Sequence, residues 1–350
     1  MCFSTDSIDT ELLYALQQKM EWELRYQRCV KGTPASFSSP VMPSENPSLS
    51  LFLQTAWNLI ATETNRICAT PKPLLAYPGG IGAYSEHAAL HLRSHTQSVS
   101  VPLFEDVFKG VFSEVYEYGI VPLENSTGGM VDAVTHLLWK YPPHIIGAIS
   151  LPIQHVLLGV KGARKNDIEY VVSHPQAIRQ CRQFLQKQEY SFSEMSTTAA
   201  AARFIAEKNN IHYAAIGSKH AAMAYGLSVL KENITDRGEN NYTRFGIISK
   251  EKTDALENIF KKGRWISSVA FQIANTPGSL YRVLAIALAE KINFTRLDSV
   301  LLSPGEYFFI ADFSGKETDS SVERFLEWLE ENTSSYTYFG NYKEIVADIN

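Results

Sequence analysis

From Leu74 onward the chain repeats one unit: a short apolar run that reads as a strand, a cluster of small polar residues, then a stretch with helical spacing. Strands that alternate with helices favour an α/β sheet with parallel strands, because each crossover helix has to cover a sheet face. Leu74-Leu75-Ala76-Tyr77 leads through Pro78-Gly79-Gly80-Ile81-Gly82-Ala83-Tyr84-Ser85 into a helix over 86–92. Tyr118-Gly119-Ile120-Val121-Pro122-Leu123 leads through Glu124-Asn125-Ser126-Thr127-Gly128-Gly129 into a helix over 130–138. Tyr170-Val171-Val172 is followed by Ser173-His174-Pro175-Gln176-Ala177, where Ser173 serves as N-cap and Pro175 fits the first helical turn. Glu194-Met195-Ser196-Thr197-Thr198 precedes the alanine-rich helix over 199–207.

Each junction has an ordinary explanation by itself. A glycine-rich turn into a helix is either an anion site or a plain tight turn, and this one has neither GxGxxG nor GK[ST] spacing. Asn and Ser are common caps. His174, beside a proline, reads as structural rather than as a base. Their repetition within one domain carries more weight, since helix beginnings aimed at one cleft would hold a small anion with more than one carboxylate. Asn240-Asn241-Tyr242-Thr243-Arg244-Phe245 adds a hydroxyl and a guanidinium just before the apolar Gly246-Ile247-Ile248-Ser249. That places them at the mouth of a strand, where α/β folds put chemistry.

A chain of 350 residues exceeds one ordinary core and implies two or three domains. Residues 6–31 read as a helix with Leu12, Leu13, Leu16, Met20 and Leu24 on one side; a Pro- and Ser-rich linker over 32–50 and a helix over 49–67 follow. At the other end, a strand over 267–273 precedes a helix capped by Thr276-Pro277, with Leu280, Val283, Leu284, Ala287 and Leu288 as its buried side. Strand-like runs at 294–302 and 307–313, an amphipathic helix and a short strand near 336–338 complete a βαββαβ, ferredoxin-like order. The charged stretch 250–264 is its linker.

A net charge of −5 without a long basic run argues against nucleic acid and anionic membrane as partners. The apolar stretches are too short to span a bilayer. The four cysteines (Cys2, Cys29, Cys68 and Cys181) are scattered, which fits reduced thiols better than zinc or disulfides. With no charged-then-apolar leader at the start, the expected location is the cytoplasm.

Together these motifs resemble the prephenate dehydratase family across most of residues 74–342. The GPxGTFS-like element is Gly79-Gly80-Ile81-Gly82-Ala83-Tyr84-Ser85, the VPIENS element is Val121-Pro122-Leu123-Glu124-Asn125-Ser126, and SHPQA stands unchanged at 173–177. Thr197-Thr198-Ala199 matches a Ser/Thr-Thr-Ala element, and Asn241-Tyr242-Thr243-Arg244-Phe245 matches NxTRF. Ala83 departs from the family's Thr or Ser and Gly80 from its Pro, which removes one hydroxyl from the pocket.

The resemblance implies a two-lobed, periplasmic-binding-protein-like catalytic domain over 74–250: lobe one at 74–153 plus a returning strand at 245–249, lobe two at 154–240. It implies loss of carbon dioxide and the ring hydroxyl of prephenate to give phenylpyruvate in phenylalanine biosynthesis, with no metal or redox cofactor. Thr243 would assist the departing hydroxyl, with Arg244, Glu124 and Asn125 completing the catalytic group. Ser85, Tyr84, Ser126, Ser173, Gln176, Thr198, Asn241 and Phe245 would hold the substrate. Residues 267–342 resemble an ACT module, a phenylalanine-binding regulatory unit at a dimer interface, so a homodimer or homotetramer is expected. Its effector residues would be Pro277, Gly278, Ser279, Leu280, Asp298 and Ser299. The family's ESRP element is Asp298-Ser299-Val300-Leu301 here, and losing its Arg predicts weak or absent phenylalanine inhibition. Residues 1–70 resemble a truncated, inactive chorismate mutase domain. Arogenate dehydratase, and a non-catalytic amino-acid-sensing protein, are the competing readings.

Overall fold

The computed structural model describes residues 72–236, 241–303 and 305–347, together with Thr62. The helices and linker read over 6–67, and the chorismate-mutase-like assignment, fall outside the described residues.

The chain enters through β1 (Leu74–Pro78), α1 (Tyr84–Leu90), β2 (Gln97–Val101), α2 (Phe104–Phe112), β3 (Tyr118–Asn125), β4 (Gly129–Met130), α3 (Asp132–Lys140) and β5 (His144–Pro152). A second unit follows: β6 (Val156–Gly159), β7 (Tyr170–Ser173), α4 (Pro175–Gln180), α5 (Arg182–Lys187), β8 (Ser191–Glu194), α6 (Thr198–Lys208), β9 (Tyr213–Gly217), α7 (Lys219–Tyr225) and β10 (Ser228–Lys231). Then β11 (Tyr242–Ser249) returns to the first unit. The C-terminal module comprises β12 (Arg264–Gln272), α8 (Ser279–Ala289), β13 (Phe294–Ser303), β14 (Glu306–Ser314), α9 (Ser320–Asn332) and β15 (Ser335–Val346), in the expected βαββαβ order.

Two sheets result. One runs β13-β14-β12-β15-β5-β11-β3-β1-β2 with β4 beside β3, and the other runs β10-β6-β9-β7-β8. Within the two α/β units the expected parallel pairing holds for β1 with β2 and β3, and for β7 with β8 and β9. β11 is antiparallel to both β3 and β5, because it comes back from the second unit and enters between two strands that run the other way. Helix α1 with Leu256 and Phe260 covers one face of the first sheet, and α2 and α3 cover the other. The second sheet is sandwiched between α6 with α7 and α4 with α5.

The module is fused edge-on to the first sheet. β15 pairs with β12 along most of its length, then its last residues, Glu344, Ile345 and Val346, pair in parallel with Ala148, Ile149 and Ser150 of β5. The short strand expected near 336–338 is therefore one end of a much longer one. Strand alternation gives the module two apolar faces. Val269, Phe271, Ala311 and Phe313 lie under α8 and α9, whereas Ile266, Ala270, Phe308 and Ile310 pack towards α3, where Phe308 stacks on Trp139 at 4.6 Å.

Several local expectations shift. α8 begins at Ser279, with Gly278 in the left-handed conformation as its N-cap; Thr276 instead places its hydroxyl 2.8 Å from that of Ser279. Leu284 and Leu288, expected inside, are exposed with Tyr281, because Val283 and Ala287, with Ile286 beside them, face the sheet. His174, not Ser173, caps α4, accepting from the Gln176 N–H at 3.2 Å. The stretch 250–264 is more than a charged linker: it carries a 3₁₀ turn (Glu257–Phe260) and buries Phe260 over Gly147, where any Cβ would lie 2.5 Å from the ring. No helix among the described residues is long and apolar enough to cross a membrane. Phe260→Ala empties a filled site and is expected to destabilise the first unit by about 3–5 kcal/mol, read as a lower denaturant midpoint.

Candidate active site

Strand β11 is hydrogen-bonded on both sides, so its alternation is fixed. Thr243 lies opposite Asn125 and Leu151, and Arg244 opposite Glu124 and Ser150. Thr243 points into a cavity of about 490 Å³ between the two units, and Arg244 points to the other face. Phe245, two residues on, shares the face of Thr243, and just after Arg244 the pairing with β3 slips by one residue so that Pro122 stands opposite Phe245 at the cavity wall.

All four polar junctions reach this cavity. Gly79, Ala83, Tyr84 and Ser85 come from the first, Asn125 from the second, His174, Gln176 and Ala177 from the third, and Ser196, Thr197, Thr198 and Ala199 from the fourth. Pro122, Val131, Ile153, Leu103 and Phe104 supply the apolar remainder. The glycine-rich turn provides shape more than an anion nest. Its Gly82 N–H donates to the Glu86 carboxylate at 2.6 Å, and the Gly79 N–H to the Val101 carbonyl at 2.8 Å. Gly82 has φ +83° and lies against Ala221 of α7, and the Tyr225 hydroxyl donates to the Ile81 carbonyl at 2.8 Å. His220 Nε2 adds a 2.7 Å contact to Glu86, so turn and α7 are held together across the two units.

A hydrogen-bonded chain crosses the cavity. The Asn125 side-chain amide donates to Thr243 Oγ1 at 3.0 Å and to Asn241 Oδ1 at 2.9 Å, while its oxygen accepts from Thr127 Oγ1 and the Gly128 N–H. Gln180 Nε2 donates to Thr127 Oγ1 at 2.6 Å, and Gln180 Oε1 accepts a hydrogen bond from His155 Nε2 at 2.8 Å. The Tyr84 hydroxyl lies 3.2 Å from the other ring nitrogen of His155 and 3.2 Å from the Gln154 carbonyl oxygen, to which it donates. Burial lowers the pKa of His155, against the hydrogen bond to Gln180, which favours the uncharged ring.

Of the residues singled out in the sequence, Tyr84, Ser85, Asn125, Gln176, Thr198, Thr243 and Phe245 line the cavity. Five do not. Ser173 is fully buried and donates to the Ile216 carbonyl at 2.7 Å. Ser126 clamps Tyr242, accepting its N–H at 2.9 Å, and Asn241 sits behind Asn125. Arg244 and Glu124 project from the opposite face of their strands, 3.3 Å apart, as period-2 alternation demands. The effector candidates Pro277, Gly278, Ser279 and Leu280 lie at the start of α8, with Asp298 and Ser299 on β13. Sequence reading missed His155, Gln180, Ser196 and Thr197 in the cavity, and it treated His174 as structural only. No local signal marks the first two, since an isolated His and a helical Gln become neighbours only through the crossover between the units.

Behind the strand pair lies a buried charge cluster. Arg244 is ion-paired with Asp312 of β14, whose carboxylate also receives Ser268 Oγ at 2.5 Å and lies 3.0 Å from Arg296 Nε. Burial opposes the Asp312 charge, but Arg244, Arg296 and Ser268 outweigh it and hold the carboxyl below its usual range. An aspartate at a core position of an apolar strand must be paired, and that was the one sequence sign of this cluster.

Comparison with known proteins agrees with this arrangement. The prephenate dehydratase family model matches residues 75–253, half of the chain, which takes in both units and β11. The chain belongs to the prephenate dehydratase family. Among curated relatives of this dehydratase, arogenate dehydratase/prephenate dehydratase 1 of Arabidopsis thaliana is 32% identical over 77% of this chain and 72% of its own length. Prephenate dehydratase of Methanocaldococcus jannaschii is 34% identical over 68% of this chain and 84% of its own. Among solved structures, prephenate dehydratase of Arthrobacter aurescens in complex with L-Phe superposes with a TM-score of 0.68 at 26% identity, covering 77% of this chain and 90% of that one. The family's members are lyases.

Outside the cavity, His87 stacks on His220 and His91, and burial together with those two rings lowers its pKa to about 4. An unfolded chain takes up a proton near pH 6.5, and the folded one resists it until about pH 4. Stability from this group is therefore full above pH 6.5 and declines as pH falls towards 4. Scanning calorimetry between those limits is expected to show a falling Tm, and His87→Phe, which keeps the stack, to flatten it.

Proposed function

We propose that the chain converts prephenate to phenylpyruvate, with Thr243 as the group that assists the departing ring hydroxyl. The observation that carries this reading is the Asn125–Thr243 pair: the Asn125 amide donates to Thr243 Oγ1, so the Thr243 proton remains for a bound molecule. A threonine is a weak acid in water, but an oriented hydroxyl in an enclosed site stabilises developing charge without reorganisation. Gln176, Thr198, Ser85 and the amides at the junctions would hold the pyruvyl carboxylate. The ring carboxylate loses its charge as carbon dioxide forms, so a strong cation beside it would favour the ground state. Among the described residues lining the cavity there is no Lys or Arg, which suits that requirement. This moves Arg244 and Glu124 from a catalytic role to a supporting one.

Arogenate differs from prephenate by an ammonium in place of a keto group. The described lining also has no Asp or Glu to receive an ammonium, which favours the keto acid. Incubating the purified protein with each substrate is expected to release phenylpyruvate from prephenate; phenylalanine from arogenate alone would overturn the preference. Thr243→Ala is expected to lower kcat by about 10²–10⁴ with little change in KM, and Thr243→Ser to retain most activity.

The C-terminal module is read as an ACT unit that joins two copies of the chain. The exposed stripe of Tyr281, Leu284 and Leu288 on α8 supports a self-association surface. Sedimentation velocity is expected to give a dimer or tetramer, and calorimetry with L-phenylalanine to give weak or no binding; a monomer, or tight binding, would count against this part.

A further inference from the structure

The module's inward face is largely apolar; besides Glu344, which accepts from Ser150 Oγ of β5 at 2.5 Å and pairs with Arg264, it carries one polar patch, and that patch meets the back of the catalytic strand. Along β14, Phe308, Ile310 and Asp312 share a face. Asp312 sits opposite Ser268 of β12 and Arg296 of β13, and the Tyr342 hydroxyl of β15 lies 2.7 Å from Ser268 Oγ. Into this patch the first unit inserts Arg244, with Glu124 closing it at 3.3 Å. Two cations and two anions balance. Asp312 is fully buried, and Arg244 and Arg296 are nearly so.

The register gives this cluster its reach. Thr243 and Asn125 face each other across one rung and point into the cavity; the next rung is Arg244 and Glu124, both pointing to the module. One peptide unit therefore separates the hydroxyl proposed to do chemistry from the guanidinium held by Asp312. The pairing with β3 slips immediately after this rung, so on that side the rungs of Thr243 and Arg244 are set off from the rest of the ladder.

We propose that Asp312 is a positioning residue for Thr243: the C-terminal module anchors Arg244 and thereby sets where the cavity-facing hydroxyl stands. The inference rests on the dehydratase reading for what Thr243 does, but not for the anchoring itself. It makes the module a working part of the active site in every copy, whatever ligand the module takes.

Removing only one partner of a buried charge cluster destabilises through the charge left behind. The test therefore uses a balanced double variant, Asp312→Leu with Arg296→Met, which deletes one anion and one cation and leaves Arg244 with Glu124. The expected result is a kcat about 10²-fold lower with KM within about threefold, since a change remote from the bound substrate that misplaces a reacting group costs turnover rather than binding. Hydrogen exchange at the amides of 241–246 is expected to speed up about tenfold, with β12 and β14 still protected. Asp312→Asn, which keeps the side-chain shape and one acceptor, is expected to give the same pattern at smaller size. A double variant with wild-type kcat and unchanged exchange at 241–246 would overturn the proposal. If the unaltered protein turned over neither prephenate nor arogenate, the functional reading would fall, and the exchange measurement would still decide the anchoring.

Discussion

The pairing of β11 between β3 and β5 is the constraint from which the rest follows. A strand bonded on both edges cannot rotate, so each of its side chains is committed to one face. That commitment sends Thr243 and Phe245 to the cavity and Arg244 to the module. Because β11 arrives from the second unit, the same strand that closes the first sheet also brings the two units together around the site.

The cavity is built with few charges. Its polar groups are amides, hydroxyls and imidazoles whose hydrogen bonds run in one chain from Thr243 through Asn125, Thr127, Gln180 and His155 to Tyr84. The charges are kept behind the wall, where Arg244, Arg296, Asp312 and Glu124 neutralise one another. Charge is costly to bury unless paired, and a cation inside the site would hold fast a carboxylate that has to lose its charge. Separating the two on opposite faces of one strand pair meets both demands.

The module's attachment has a similar logic. A free edge on β5 would be an invitation to pair with another chain. β15 occupies that edge with its last residues, after Gly340 allows the strand to turn closely past Ile145 at φ +128°. The inward face of the module then packs on α3, and the buried cluster and the Ser150–Glu344 hydrogen bond fix the contact.

Much of this was legible in the residues. The strand–polar–helix repeats gave the α/β class, and the motifs containing Ser85, Asn125, Gln176, Thr198 and Thr243 gave five walls of the cavity. Ser173 and Arg244 stood in equally good motifs yet face elsewhere, because a motif records which residues adjoin in the chain and not which side of the strand they leave from. His155, Gln180 and the partners of Asp312 became visible only when strands and helices distant in sequence were brought into register. Sequence determines local conformation through periodicity and capping, since those are set by neighbours within a few residues. The direction a side chain finally faces, and the charge it meets there, was decided by the pairing of β11 and the docking of the module, which are long-range events with no local signature.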